Sequence, residues 1–452
     1  MFVLILGITL AVLDGTIVNL ALPAIARDLQ ASAAHAIWVV NAYQVALLAL
    51  LLPCATLGDL IGYKKVYLGG LALFTAASLA CATADSLLTL AIARGVQGLG
   101  AAGLMGINAA LVRRIYPRSM LGRGVALNSV VVATASVAGP TVAAAILSVA
   151  SWPWLFALNL PLGLLVLVLG SRALPENAGP PTPGARLSAV DIGLNAAMFG
   201  LVVLGADALG VGVGGDRTSL LRGGLLLAAG VAVGVFYVLR QRRQTVPLLP
   251  VDLLRIPVFR LSMCSSVSAF SAQMLAFVSL PFLILDGLGR SAGHTGLLMS
   301  CWPLATVVAA PLAGRLIGRV SDGLLGGIGM ACMTVGLVAL SWMPAHPSNL
   351  DIAWRLAVCG FGFGLFQSPN NHTIVTSAPS NRSGGASGML GTARLTGQTL
   401  GVVLLAGVFS LFDPHNGHGP MVGLGLAACF SAVAAVFSSL RVRHVPQARQ
   451  AH

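Results

Sequence analysis

The sequence predicts an all-α integral membrane protein that crosses the bilayer about fourteen times. Composition is the first reason. Hydrophobic residues make up 57% of the 452-residue chain and charged residues only 9%, against about 25% charged in a soluble domain. So few charges cannot cover a water-soluble surface, which excludes a cytosolic enzyme, a secreted disulfide scaffold and a disordered chain. Pattern is the second reason. The apolar residues form long unbroken runs, where a membrane β-barrel would alternate apolar and polar positions. The third reason is where the charges fall, in short loops between those runs.

At about 20 residues per crossing, spans are expected near 2–26, 36–57, 66–84, 87–112, 123–149, 154–171, 189–209, 222–239, 259–285, 295–318, 324–343, 353–376, 385–412 and 420–440. Gly210 to Gly215 reads as a loose linker between the seventh and eighth. An even number of spans puts both termini on one side. With that side cytoplasmic, the inner loops and tail hold 19 of the 26 basic residues and the outer loops 5, with Arg94 and Arg394 inside spans. This asymmetry follows the positive-inside rule. It also explains the net charge of +13 without nucleic acid, since there is no basic face interleaved with aromatics. The Arg-rich, Ala- and Gly-rich composition points to a GC-rich bacterial genome, and the expected location is the bacterial cytoplasmic membrane.

Two longer inner segments divide the chain. The expected domains are an N-terminal six-helix half (1–171), a cytoplasmic linker (172–188), a two-helix insert (189–240), a second linker (241–258), a C-terminal six-helix half (259–440) and a cytoplasmic tail (441–452). A weak internal repeat fits this layout. "ATLGDLIGYKK" after span 2 resembles "AGRLIGRVSDG" after span 10, each following the second span of its half. The first apolar run lacks a basic leader and a cleavage site, so it reads as a span, not a signal peptide. The seven cysteines lie in apolar runs with no CxxC pair and are expected to be small buried hydrophobes.

Charges inside a span are expensive and so become functional candidates. Asp14 lies about 18 Å into span 1 at 1.5 Å per residue, with Gly7, Ala11 and Ala21 on its face. A buried carboxyl beside a cation suits a proton carrier; a permanently paired structural Asp is the alternative. Arg94 in span 4 lies at a similar depth, with Gln97 one turn on. It is expected to pair with Asp14 directly or through water, or to lock helices by bonding carbonyls. Arg394, mid-span in "GTARLTGQTLG" with Gln398 one turn later, could bind an anionic substrate group or a carbonyl cluster; packing between spans of the second half is the alternative. His372 sits near a span end and reads as a wet structural histidine. Gly139-Pro140 interrupts span 5 among small residues, which allows close helix packing and a kink. There is no Walker loop, HExxH, GxSxG or zinc-ligand spacing, so neither an enzyme nor a cofactor is expected. The run "GLGAAGLMG" follows no strand and is not a dinucleotide loop.

Taken in order, several stretches resemble the major facilitator superfamily, and most closely its fourteen-span drug:proton antiporters of the QacA/EmrB type. "LDGTIVNLALPAI" is similar to the span 1 motif, with Asp14, Asn19 and Pro23. "LGDLIGYKK" resembles the loop after span 2, with Asp59, Gly62, Lys64 and Lys65. "RGVQGLGAAG" resembles the span 4 motif with Arg94, Gln97 and Gly98, and "SVAGPTVAAA" the span 5 antiporter motif around Gly139 and Pro140. "WPWLFALNLPLG" resembles the start of span 6, and "LFQSPNN" and "TARLTGQTLG" resemble spans 12 and 13. Departures are Ala55 for a glycine, Leu60 and Tyr63 for basic residues, and Ala135, Ala143 and Ala144 for glycines. The chain begins almost at span 1, so a short preceding segment is expected.

The resemblance implies a major facilitator fold and alternating access. It also implies proton-coupled export of lipophilic drugs or antibiotics, with Asp14 and Arg94 coupling protons. Asn19, Gln97, Arg394 and Gln398 would line the substrate cavity. Asp59, Gly62, Lys64, Lys65, Gly139 and Pro140 would serve gating. One mid-membrane acid against two bases suits a neutral or anionic amphiphile as the small-molecule substrate. The expected partners are that substrate, protons and the lipid bilayer, for a chain acting as a monomer. The alternatives are a dedicated exporter of a single metabolite, antibiotic or lipid, and a non-transporting membrane sensor or assembly partner.

Overall fold

The computed structural model describes residues 2–115, 121–175, 188–213, 217–242, 251–344, 346–378, 383–413 and 417–444. Helices dominate them, as they must where no water is available to satisfy a bare backbone. In chain order they are α1 (Phe2–Asp28), α2 (Ala33–Ala36), α3 (Trp38–Ile61), α4 (Tyr63–Ala82), α5 (Leu87–Ile115), α6 (Leu121–Val149), α7 (Pro153–Ala157), α8 (Asn159–Ala173), α9 (Ala189–Val213) and α10 (Arg217–Gln241). They continue with α11 (Pro257–Pro281), α12 (Ala292–Met299), α13 (Cys301–Leu316), α14 (Asp322–Ser341), α15 (Asn349–Ser377), α16 (Ser383–Leu411) and α17 (His418–Leu440). Among the described residues, twelve helices are long and apolar enough to cross a membrane. Among the described side chains of α6, Ala138–Val149 forms an apolar stretch, and the 29-residue α15 carries Asp351, Arg355 and the polar run from Gln367 to Thr373.

One expected loop is helical. α9 continues through Gly210 to Val213, because unpaired backbone groups in hydrocarbon cost more than glycine's low helix propensity. Residues 214–216 lie outside the described residues, as do residues 176–187 of the first expected linker and 243–250 of the second. The cysteines are all free, but only Cys54, Cys81 and Cys359 are buried; Cys429 is exposed on α17. An outward helix face meets lipid, which tolerates a thiol as well as a protein core does.

The chain divides into two compact units. The first comprises residues 1–248, 281–297 and 402–419, and the second residues 249–280, 298–401 and 420–452. α5 is the hub of the first unit, packing against both α3 and α4. Its glycines allow the contact: a Cβ on Gly98 would stand 2.4 Å from the Tyr43 carbonyl oxygen, and one on Gly100 2.5 Å from the Phe74 nitrogen. α15 is the hub of the second unit, packing against α13 and α14. There Gly360 faces the Trp302 carbonyl of α13 and Gly362 faces Gly329 of α14. Each unit thus centres one helix on two preceding neighbours through side-chain-free contacts.

α9 and α10 pack chiefly on each other, and α9 also on α3. Pro53 of α3 has no N–H, so the Ala49 carbonyl four residues earlier loses its helical partner. Asn195 of α9 replaces it, donating from Nδ2 to Ala49 O at 2.9 Å. Asp191 of α9 pairs with Arg240 of α10 at 2.7 Å.

Candidate functional site

In the first unit, five helices bring polar side chains to one buried point. Asp14 of α1 and Gln97 of α5 are 0% exposed, Arg94 and Asn159 1%. Arg94 NH1 donates to Asp14 Oδ2 at 2.6 Å. Asp14 Oδ1 accepts from Gln97 Nε2 at 2.9 Å and from Asn159 Nδ2 of α8 at 2.7 Å. The carboxylate thereby holds three donors, one of them charged. Arg94 also donates from NH1 to Gln97 Oε1 at 2.6 Å and from Nε to the Val39 carbonyl at 3.1 Å. Its guanidinium carbon lies 4.2 Å from the Tyr43 ring centroid, a cation–π distance. An ion pair this deep survives only when its remaining hydrogen-bonding capacity is met, and here it largely is.

The local sequence explains the convergence. Arg94 and Gln97 are three residues apart and share a helix face, and Gly98 brings that face against the α3 backbone. On α6, a Cβ at Gly139 would lie 2.0 Å from Thr16 Oγ1. α6 is therefore seated against α1 two residues beyond Asp14, and Pro140 is the next residue of α6.

Ser78 of α4 was not singled out from the sequence, and it joins the network. Its Oγ accepts from Gln97 Nε2 at 2.8 Å and from Asn159 Nδ2 at 3.3 Å, and donates to the Phe74 carbonyl at 2.8 Å. The same two amides thus reach both Asp14 and Ser78. A signal did exist: Leu71, Phe74, Ser78 and Cys81 form one buried stripe, and a hydroxyl on such a stripe needs partners. Tyr43 was also missed, one hydroxyl in an apolar run.

The other predicted residues lie apart from this network. Asn19 is buried, and its Oδ1 has no hydrogen-bond partner; the same holds for Asn41 Oδ1, Gln44 Oε1 and Tyr43 OH. Asp59 accepts a hydrogen bond from Tyr63, so the tyrosine that departs from the family loop motif engages the motif's acid. Gly62 turns the α3–α4 connection with φ 110°, a conformation that disfavours any side chain. Lys64 is half-buried and Lys65 exposed.

In the second unit, Arg394 of α16 is half-buried, with its guanidinium carbon 5.4 Å from the Phe270 ring centroid of α11. Gln398 is half-buried one turn on. The saturated cation of this unit is Arg441, just past α17, which is 1% exposed. It donates to Ser262 Oγ at 3.0 Å, to Asn370 Oδ1 at 2.8 Å and to Ser438. Burial brings its pKa down to about 10, with the Asp322 carboxylate opposing, so it stays charged at neutral pH. His372, 43% exposed, bonds Asp322 Oδ2 at 2.7 Å, a wet partnered histidine as expected. No group of side chains able to hold a metal ion occurs among the described residues.

A chain of long apolar helices around a buried ion pair defines a polytopic membrane protein with a charged site inside the bilayer. The family model for the Major Facilitator Superfamily matches residues 4–402, and the chain belongs to that superfamily. It is a membrane transporter and not an enzyme. It is 52% identical over 439 residues to the uncharacterized transporter YebQ of Escherichia coli (strain K12), covering 97% of this chain and 94% of that one. It is 29% identical to the multidrug resistance protein Stp of Mycobacterium tuberculosis (strain CDC 1551 / Oshkosh), covering 91% of this chain and 76% of that one. It is 27% identical to the riboflavin transporter RibZ of Clostridioides difficile (strain 630), covering 92% and 89%.

Proposed function

We propose that the chain is a fourteen-span, proton-coupled antiporter that exports lipophilic compounds by alternating access. The observation that carries this reading is Asp14, a carboxylate with no solvent exposure, held by Arg94, Gln97 and Asn159. A proton arriving at Asp14 removes the charge that Arg94 pairs with and turns an acceptor into a donor. At least one of the three donors must then let go. Ser78 already accepts from both amides and would keep them when Asp14 lets go, so spans 1, 3, 4 and 6 would re-pair together. Coupling then needs only that proton and substrate bias the same two-state equilibrium oppositely.

The fourteen spans would be the twelve apolar helices plus α6 and α15, with α9 and α10 as the two-helix insert between six-helix halves. The matching hubs α5 and α15 support two similar halves. The 19-to-5 charge asymmetry supports cytoplasmic termini in a bacterial inner membrane. Asn19, Gln97, Arg394 and Gln398 would line the substrate path; the unpartnered Asn19 oxygen supports its place there. Asp59, Gly62, Lys64 and Lys65 would form an inner gate, with the Tyr63–Asp59 bond as part of its clasp. Gly139 and Pro140 would let α6 move against α1. Resemblance to a multidrug resistance protein supports broad drug export. Resemblance to a riboflavin transporter supports one part of the second reading, a cargo of a single compound.

The test is proton release from energised everted vesicles, read with a pH-sensitive dye while a panel of neutral, anionic and cationic amphiphiles is added. Release that depends on a compound in wild type and vanishes in Asp14→Asn is the expected result. Equal release in both proteins would overturn the assignment of coupling to Asp14.

A further inference from the structure

Two of the buried or half-buried mid-span cations differ in one respect. Arg94 spends its donors on a carboxylate, an amide and a carbonyl. Among the described residues, Arg394 has neither a hydrogen-bond acceptor nor a carboxylate within reach, and its one recorded contact is the Phe270 ring at 5.4 Å. Arg394 lies eleven residues into the 29-residue α16, about 17 Å along the helix at 1.5 Å per residue. That is too deep for a lipid phosphate at the bilayer surface. An arginine this deep is tolerated where it faces the protein interior or a water-lined space and has a partner.

The local packing holds the cation in place. Gly397 and Gly401 bring α16 backbone-to-backbone against α11: Cβ atoms there would stand 2.4 Å and 2.5 Å from the Val267 and Ser271 carbonyl oxygens. Ser271 Oγ donates to the Gly397 carbonyl at 2.9 Å. α16 therefore cannot rotate freely to bury or release Arg394. Phe270 is itself fixed edge-on to Phe363 of α15, with centroids 5.4 Å apart. The ring covers one face of the guanidinium and offers a weak cation–π contact. The N–H edges remain, and they match a planar oxyanion. Gln398, half-buried on the same face one turn on, supplies an amide for a second oxygen.

We infer that Arg394, backed by Phe270 and flanked by Gln398, is a binding site for the oxyanion of an organic substrate, a carboxylate, phenolate or sulfonate. This rests on the transporter reading and names the substrate class that reading leaves open. It also gives the two basic spans different work: Arg94 neutralises the proton site, and Arg394 recognises cargo.

Binding and coupling can be tested separately. The purified full chain in lipid nanodiscs is titrated with two dyes sharing a xanthene skeleton, anionic fluorescein and cationic rhodamine 123, and read by fluorescence anisotropy. The expected result is that Arg394→Gln weakens fluorescein binding about 10- to 100-fold, the span of a charge-assisted hydrogen bond. Arg394→Lys should retain most of the affinity, and rhodamine 123 should bind Arg394→Gln at least as well as wild type. Thermal unfolding of each variant confirms that it is folded. Equal fluorescein affinity in wild type and a folded Arg394→Gln, whether measurable in both or in neither, overturns the site. Asp14→Asn is run alongside. If it binds fluorescein normally while wild-type vesicles release no protons with any compound, the antiport reading falls and the oxyanion site stands.

Discussion

Arg94 and Arg394 are both arginines inside apolar spans, and nothing in their local composition separates them. Their surroundings do. Arg94 sits on the hub helix of the first unit, where three other helices, α1, α3 and α8, supply it or Asp14 with partners. Arg394 sits on a helix beside the hub of its unit and touches a ring. Depth in the membrane therefore marks a residue as costly, while saturation of its hydrogen bonds tells whether the protein or a ligand meets that cost. Arg441 makes the point a third way. It is as buried as Arg94, yet its recorded partners are hydroxyl, amide and carbonyl oxygens, which fits a structural pin at the end of α17.

The comparison sharpens most if the closed network is broken first. Arg94→Gln leaves the Asp14 carboxylate buried without its cation. We expect a loss of about 3–5 kcal/mol, the cost of splitting a buried pair, seen as a large drop in unfolding temperature in nanodiscs. Adding Asp14→Asn to Arg94→Gln should restore most of that stability but no proton coupling. If the double variant is as unstable as the single one, the pair is not the element that matters.

Next in size is the hub contact. Gly98→Val places atoms where the Tyr43 carbonyl lies and should cost about 1–3 kcal/mol through overpacking. Gly95→Ala serves as the control, because a Cβ there meets nothing within 4 Å. A loss for Gly95→Ala as large as that for Gly98→Val would mean that close helix approach does not explain the glycine at 98.

Ser78→Ala should cost about 1 kcal/mol of stability, a typical neutral hydrogen bond. Substrate-driven proton release should fall about tenfold, since about 1.4 kcal/mol in a barrier is a factor of ten. Fluorescein affinity should not change. A variant that couples protons at the wild-type rate would remove Ser78 from the switching step. The smallest expected change belongs to the open site. Arg394→Gln should alter stability by less than about 0.5 kcal/mol or raise it, because it removes a cation that has no protein partner. A loss on the scale of Arg94→Gln would reveal a structural role for Arg394 and erase the contrast between the two.

Much of this was legible in the chain alone. Asp14, Arg94 and Gln97 stood out because an ionisable or amide side chain in an apolar run is rare and costly, and helical spacing put Arg94 and Gln97 on one face. Ser78 and Tyr43 did not stand out, because hydroxyl-bearing residues occur in many spans without consequence, and only the packing of α3 and α4 on α5 gives Ser78 its amide partner and sets the Tyr43 ring on Arg94. Asn195 was invisible for a similar reason. Its role exists only because Pro53, on another helix, leaves the Ala49 carbonyl unpaired. The expected linker at Gly210 failed because glycine's local preference was weighed without the demand that hydrocarbon places on every backbone group.

By itself, the sequence determined the helical class and the rough placement of the apolar segments. Those follow from one-dimensional properties: run length against membrane thickness, and the cost of moving charge across lipid. Beyond the expected Asp14–Arg94 pair, which polar residues meet was decided by tertiary structure. Asp14, Ser78, Arg94 and Asn159 lie on four helices across 146 positions of chain, and only the glycine-mediated approach of helix backbones sets their hydrogen-bond distances. The same holds for what does not meet. That Arg94 finds a carboxylate and Arg394 finds none among the described residues is a fact of packing, because hydrogen bonding depends on tenths of an ångström that no run of letters encodes.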